Sequence, residues 1–489
     1  MSYRAGTFLL VLAIALAGCR SRRNEAAPEP PKVEETARAR LTREALPFLE
    51  RTPTPTGKVH EVEIVAAPTT LTLFDGRAIQ VWAYNGQVPG PIVRVRVGDT
   101  VRATLKNQLP QPTTIHWHGV RLPNAMDGVP HVTQPPVQPG ESFVYEFVAR
   151  DAGTFWFHPH VRSSEQVERG LYGVLIIEPA EPVAERELVW VLDDWLLDET
   201  GQIDPNFITR RDLAHDGRWG NVLTLNGKLR PELGVRAGER VRVRILNVAN
   251  GRVFALDLGA LGGEVVAFDG LGVRKPLDTN RIELAPGNRV DLELRLPTSR
   301  VGESIPIVDR FTQRENLLAT VRIDAPSQQQ AHEATERVEP TSRDFVPQWI
   351  GALDMPVDET FSLDARVGGP HGVEWMINER VMRHDEGEPG EHEHHEVPYR
   401  FQRNRFVKLR FENASPRLHP MHLHGVFFKV IARDGKPVDE GHWRDTVLLQ
   451  PREIVDVGLV PTELGNWMLH CHILEHADSG MMTLFAVTP

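Results

Sequence analysis

A recurring asparagine frame constrains this chain more than any other feature. Asn85-Gly86 leads to Gly98-Asp99, then to Val101, Ala103 and Leu105 in alternation, and then to Asn107. A second copy lies about 140 residues on: Asn226-Gly227, Gly238-Glu239, Val241, Val243, Ile245 and Asn247. A weaker third copy runs from Ile377-Asn378 to Val407, Leu409, Phe411 and Asn413. Each couples a turn residue to a period-2 apolar pattern, the signature of a half-buried strand. Val93-Arg94-Val95-Arg96-Val97 and Val241-Arg242-Val243-Arg244-Ile245 show the same alternation. Long helical periodicity is scarce, and 39 Gly with 38 Pro supply the turns. The pattern predicts an all-β chain of three tandem Greek-key β-sandwich domains, split near Pro179 to Pro182 and near residues 326 to 345.

At 489 residues the chain exceeds one ordinary core. The expected divisions are a signal over 1–19, a flexible tether over 20–57, and domains over 58–181, 182–328 and 340–489. Net charge is −11 with both signs interspersed, which excludes nucleic acid as a partner, since that needs a basic face. With only Cys19 and Cys471 there is no disulfide framework. Arg4, the apolar run Phe8 to Ala17 and then Leu16-Ala17-Gly18-Cys19 read as a secretory signal. Its ending resembles the bacterial lipobox, which implies a lipid anchor at Cys19 and export to the periplasmic face of a membrane. Arg20 carries no acidic inner-membrane retention signal, which points to outer-membrane sorting. Residues 20 to 57, rich in Pro, Ala, Glu and Arg, read as disordered.

Histidine concentrates in four segments: His116-Trp117-His118-Gly119, His158-Pro159-His160, His419-Pro420-Met421-His422-Leu423-His424-Gly425, and His470-Cys471-His472 continuing to His476. On a strand, residues i and i+2 share a face, so each His-x-His presents two imidazoles together. Four converging pairs give eight nitrogen ligands, enough for a three-metal cluster. Cys471 points opposite to His470 and His472, so one strand covalently joins a thiolate-side metal to imidazole-side metals. The thiolate, His419, His476 and a weak thioether from Met481 make the ligand set of a blue-copper centre. Met482 competes with Met481 but points elsewhere if the segment is extended. Zinc is the rival metal for Cys and His, yet a zinc enzyme has no need of eight further histidines.

These segments, with Tyr84-Asn85-Gly86-Gln87-Val88-Pro89-Gly90-Pro91, Gly170-Leu171-Tyr172-Gly173 and Leu284-Ala285-Pro286-Gly287, resemble the three-domain multicopper oxidases, laccases and bacterial cuprous oxidases among them. The likeness covers roughly residues 59 to 489 and implies cupredoxin-like domains holding four copper ions. Carried over by position, it implies type 1 copper on His419, Cys471, His476 and Met481, and type 2 copper on His116 and His422. It implies one type 3 copper on His118, His158 and His472, and the other on His160, His424 and His470. The middle domain, without paired histidines, is then a spacer and scaffold. The implied reaction takes single electrons from a small-molecule or metal-ion reductant and reduces dioxygen to water. An axial Met481 implies a lower potential than in high-potential laccases.

Asp127 matches the position of an acid that assists dioxygen reduction in bacterial relatives, although Met126-Asp127-Gly128 also reads as a turn. One departure concerns the proton-relaying glutamate that often follows the second type 1 histidine; Ala477 stands there, flanked by Glu475 and Asp478, either of which could substitute. Copper-free structural homologues lack the ligands this chain keeps, and two-domain nitrite reductases lack the full set of pairs. Phenols and metal ions such as Cu(I) both remain as reductants. There is no methionine-rich insertion, but His384-Asp385-Glu386 to His392-Glu393-His394-His395-Glu396 is an acidic, histidine-rich loop suited to metal ions.

Overall fold

A computed structural model describes residues 32–73, 76–180, 184–275, 277–326, 346–382 and 396–489. The asparagine frame now has a physical account. Asn85, Asn226 and Asn378 all adopt positive φ, between 51° and 54°. Each side chain then clamps the turn to a neighbouring strand. Asn85 Oδ1 accepts from Val65 N–H while its Nδ2 donates to Glu63 O, at 2.6 and 2.8 Å. Asn226 does the same with Val191 and Val189, and Asn378 with Ser362 and Thr360. The second asparagines repeat as well: Asn107, Asn247 and Asn413 each bond two loop carbonyls through Nδ2 and one N–H through Oδ1. Buried backbone groups at three equivalent corners are thereby satisfied in one way.

Around these corners lie six sheets, two per sandwich. In each domain the two sheets each contain a parallel pair. They are Val59–Leu73 with Thr100–Asn107 and Ile92–Arg96 with Gly173–Glu178 in the first. The middle domain pairs Arg186–Trp195 with Arg240–Asn247 and Glu232–Arg236 with Asn316–Asp324. The third pairs Glu359–Val367 with Val407–Asn413 and Tyr399–Gln402 with Met482–Thr488. Parallel partners need crossovers, so the chain switches between sheets as a Greek key does. Buried alternate residues such as Val101, Ala103 and Leu105 fill the cores.

One expectation needs correction. Part of the supposed tether is a helix, α1 (Lys32–Leu49). Ala37, Leu41, Ala45 and Phe48-Leu49 recur on one helical face, a spacing diluted by the many charges around it. Leu41, Ala45, Phe48 and Leu49 are buried against the third and first domains. Trp349 Nε1 donates to Leu41 O at 2.8 Å, buried Arg38 pairs with Asp358 at 2.7 Å, and Phe48 stacks on Trp443. From the first domain Arg121 donates to Leu49 O. Helix α1 therefore straps together the two domains that carry the histidines.

Candidate metal centre

The paired strands impose the site. His116–His118 runs antiparallel to Gly153–His158 with His116 opposite His158. In the third domain His419–Leu423 lies antiparallel to Gly465–Cys471, with His422 opposite His470 and Met421 opposite Cys471. Facing each other across the interface, these two ribbons bring eight buried imidazoles together. His118, His158 and His472 form one triad with donor atoms within 4.8 Å; His160, His424 and His470 form a second; His116, His118 and His422 a third. His118 stacks on His422 and His116 on His424, both with centroids 3.8 Å apart.

In His116, His118, His158, His422, His424 and His470, hydrogen bonds fix which ring nitrogen keeps its proton, an assignment that follows from the acceptors present. Nδ1–H of His116 donates to Asp127 O, and Nδ1–H of His422 to Asp445 O, both at 2.8 Å. Nδ1–H of His158 meets Pro159 O, and that of His470 meets Cys471 O. His118 instead donates from Nε2 to Asp445 Oδ1 at 3.1 Å. The opposite nitrogens, His116 Nε2, His118 Nδ1, His158 Nε2 and His422 Nε2, are buried without a protein partner. Nε2 of His424 and Nε2 of His470 face each other at 3.1 Å. Lone pairs aimed at one another in a dry site are costly unless a cation lies between them. Burial and the neighbouring rings hold His118, His158, His160, His422 and His472 well below the usual histidine range, and burial takes His470 to about 4. These six rings, His118, His158, His160, His422, His470 and His472, are therefore neutral ligands at any ordinary pH.

On the opposite face of the Gly465–Cys471 strand lies a second site. Cys471 Sγ is 3.6 Å from His419 Nδ1 and 3.9 Å from His476 Nδ1, and the two nitrogens are 3.4 Å apart. Trigonal donors about 2.0–2.3 Å from one ion stand about 3.5–4.0 Å from each other, which fits this spacing. Asn413 Oδ1 accepts from Ser415 Oγ, which leaves Oγ to accept from His419 Nε2–H at 2.8 Å and bares Nδ1. His476, on α4 (Leu474–Asp478), donates from Nε2 to His215 O at 2.9 Å. Burial pushes the Cys471 thiol up and lowers His476 to about 3. Met481 is buried in the same core cluster as Cys471, and its carbonyl accepts from Cys471 N–H at 3.0 Å. Met482 belongs to another cluster, with Val129, Met468 and Ala477.

The three carboxylates separate. Asp127 stands in the cluster: its Oδ2 accepts from His424 Nδ1 at 2.8 Å while its carbonyl holds His116. Glu475 turns toward the middle domain, accepting from Asn250 Nδ2 at 2.7 Å and Arg218 N–H at 3.1 Å, and burial pushes it up to about 7. Asp478 accepts from Ser164 N–H and Oγ–H on α2 (Ser163–Glu168), and burial raises it too.

Sequence reasoning missed several contributors. Asp445, Thr446 and Arg289 stand behind the cluster. The short α3 (Arg210–Ala214) and His215 cover the Cys471 site from the middle domain, together with Trp375, whose ring lies 4.2 Å from that of His476 and whose Nε1 donates to Leu213 O. The middle domain is thus more than a spacer.

Sequence models of the multicopper oxidase family match residues 66–182, 186–302 and 371–489. A crystal structure of a multicopper oxidase from Pseudomonas thermotolerans superimposes with a TM-score of 0.76 at 33% identity, covering 88% of this chain and 99% of that one. The chain belongs to the multicopper oxidase family. A curated multicopper oxidase of Mycobacterium tuberculosis is 28% identical over 87% of each chain. A laccase-like multicopper oxidase from Ochrobactrum sp. is 25% identical, with a TM-score of 0.73, over 89% of this chain and 100% of that one. As a multicopper oxidase the protein is a copper-dependent oxidoreductase of three cupredoxin-like domains that couples oxidation of a reductant to reduction of dioxygen. No helix among the described residues is long and apolar enough to cross a membrane.

Proposed function

We propose that this multicopper oxidase draws electrons from a metal ion such as Cu(I), held outside the Cys471 site. The observation that carries this reading is the cover over His476. Its outer nitrogen is already bonded to His215 O, its ring lies beside Trp375, and it is fully buried. A phenol seeking a hydrogen bond to that imidazole finds the edge occupied. A metal ion needs only ligands nearby, because its electron can cross the His215 carbonyl hydrogen bond. The histidine- and glutamate-rich sequence 384–396 lies outside the described residues except for Glu396. However, Met382, just before it, donates its N–H to Gly480 O at 3.1 Å, directly beside Met481.

In this reading His419, Cys471, His476 and Met481 hold type 1 copper, and His116 and His422 type 2. His118, His158 and His472 hold one type 3 ion, and His160, His424 and His470 the other. Bound copper supplies one-electron redox chemistry at the first site and dioxygen reduction to water at the cluster. The chain does the rest. The His470-Cys471-His472 strand links the two sites through the backbone, and the His470 Nδ1–H to Cys471 O bond adds a shorter route. The ligands of both sites are buried, and the Asp127 carboxylate would hand on a proton beside the cluster. Anchoring at a lipidated Cys19, on the periplasmic side and sorted to the outer membrane, completes the proposal; Cys19→Ala should release the protein from membrane fractions.

The second reading, a laccase acting on phenols, is favoured by the Ochrobactrum relative, which has oxidase activity towards lignin model compounds and lignosulfonate. Deleting 384–396 separates the two. A fall in Cu(I) oxidation with phenol oxidation unchanged supports the metal-ion reading; unchanged Cu(I) oxidation overturns it.

A further inference from the structure

The histidine cluster has an approximate twofold plan that sequence spacing conceals. Asp127, in the first domain, uses its carbonyl for its own domain's His116 and its carboxylate for His424 of the third. Asp445, in the third domain, mirrors it. Its carbonyl accepts from His422 Nδ1 at 2.8 Å, and its Oδ1 accepts from His118 Nε2 of the first domain at 3.1 Å. Each aspartate thus fixes one of the two stacked imidazole pairs across the domain interface. Thr446 Oγ donates to Asp445 Oδ1 at 2.9 Å and lies beside both His118 and His422.

The mirror breaks at one point. Arg289 of the middle domain, fully buried, places Nη1 2.9 Å from Asp445 Oδ1 and Nη2 2.7 Å from Oδ2. The same guanidinium donates to Thr154 O of the first domain and to Gly287 O of its own. No arginine or lysine among the described residues pairs with Asp127. Two glycines make room for this arrangement. A Cβ on Gly119, which has φ +78°, would overlap both the guanidinium and the Asp445 carboxylate. A Cβ on Gly287 would lie 3.0 Å from His118 Cε1.

We propose that Asp445 is a positioning residue for the copper cluster, the counterpart of Asp127, and that Arg289 locks it. The middle domain then governs metal retention at a cluster to which it gives no ligand. The Nη1–H bond to Oδ1 and the ion pair to Oδ2 hold the Asp445 carboxylate in place, so His118 keeps its proton on Nε2 and presents Nδ1 inward, opposite to His116, His158 and His422. Without Arg289 the buried carboxylate loses the cation paired with it and keeps only the Thr446 hydroxyl and His118 to orient it.

The inference rests on reading the eight histidines as the copper cluster. The test uses full-length, copper-loaded protein carrying Arg289→Met, Arg289→Lys or Asp445→Asn. It measures copper per protein during chelator titration, the type 2 electron paramagnetic resonance signal and the blue absorption of the Cys471 site. Loss of such an outer partner typically weakens metal binding about 10–100-fold. Arg289→Met and Asp445→Asn each leave one member of a buried ion pair unmatched, and should therefore release cluster copper at a chelator concentration about 10–100-fold lower, with an altered or absent type 2 signal and the blue band intact. Arg289→Lys, which keeps the charge, should recover part of the loss. Unchanged retention and an unchanged type 2 signal in both Arg289→Met and Asp445→Asn would overturn the proposal. So would loss of blue and cluster copper together in all three variants, the mark of a general folding defect. Should Arg289→Met fail to fold, Asp445→Asn decides alone, since it keeps the carbonyl that holds His422. Wild-type protein that binds copper only at the Cys471 site would instead sink the underlying reading of the cluster.

Discussion

Replacing Asp127 by Asn separates its two possible duties, holding ligands and moving protons. The backbone carbonyl that holds His116 Nδ1 is untouched by the change. An amide oxygen can still accept from His424 Nδ1, now 2.8 Å from Oδ2. What disappears is the negative charge and the capacity to carry a proton. Exchanging a charge-assisted hydrogen bond for a neutral one costs about 1 kcal/mol. Since about 1.4 kcal/mol is tenfold in an equilibrium constant, retention of cluster copper should fall by less than tenfold. A positioned proton donor contributes about 10²–10⁴-fold to a rate, so reoxidation should slow by about a hundredfold or more. The assay reduces the enzyme anaerobically, mixes it with dioxygenated buffer and follows the return of the blue absorption, with copper content measured on the same sample. Slow reoxidation at nearly full copper content is the expected result. Unchanged reoxidation removes Asp127 from the chemistry. A parallel fall of rate and copper content would leave it a ligand holder only.

Helix α1 should depend on Phe48, which is buried, stacks on Trp443 and lies under the Arg121 guanidinium. Truncating a buried Phe to Ala costs about 3–5 kcal/mol, so Phe48→Ala should speed amide exchange over Glu34 to Leu49 by about a hundredfold or more; unchanged exchange would show that the strap is held without this ring. A pH signature is expected from Asp193, which burial pushes from 3.8 up to about 8 and which accepts from Tyr172 Oη at 2.5 Å. A folded-state value above the unfolded one means the stabilising contribution is complete below about pH 4 and is lost as pH rises through about 8. Asp193→Asn, which cannot ionise, should match wild type in urea denaturation at pH 4 and exceed it at pH 9; no excess at pH 9 would show that the carboxylate ionises there without cost.

What could be read from the sequence divides by chemistry. Histidine pairs and a cysteine between two histidines are rare side chains at restrictive spacings, and strand geometry converts those spacings directly into shared faces. The asparagine frame was legible for a similar reason, because left-handed turns and buried corner amides both select that side chain. Helix α1 was missed because its apolar stripe is thin, four small steps among charges, and its partners Trp349 and Phe406 lie some three hundred residues away. His215 was invisible because it acts through a carbonyl, a group every residue owns.

Asp445 shows the sharper reason. It does for the third domain what Asp127 does for the first, yet Asp127 follows its histidine pair by nine residues and Asp445 by twenty-one. In the first domain the chain returns to the cluster after a single short turn, Asn124–Met126. In the third it first builds the strand Phe428–Arg433, which pairs with Ile454–Leu459, and a tight return through Lys436–Pro437. The cluster requires an acceptor at a point in space, and loops of any length can deliver it. A ligand pair leaves a spacing in the sequence because both members ride one strand; an outer partner leaves none, because it arrives from a separate segment. The same holds for Arg289, which comes from a domain with no ligand at all. Asp445, Thr446 and Arg289, which fix ring orientation and charge beside His118 and His422, are therefore the residues whose identity depended on the fold being known.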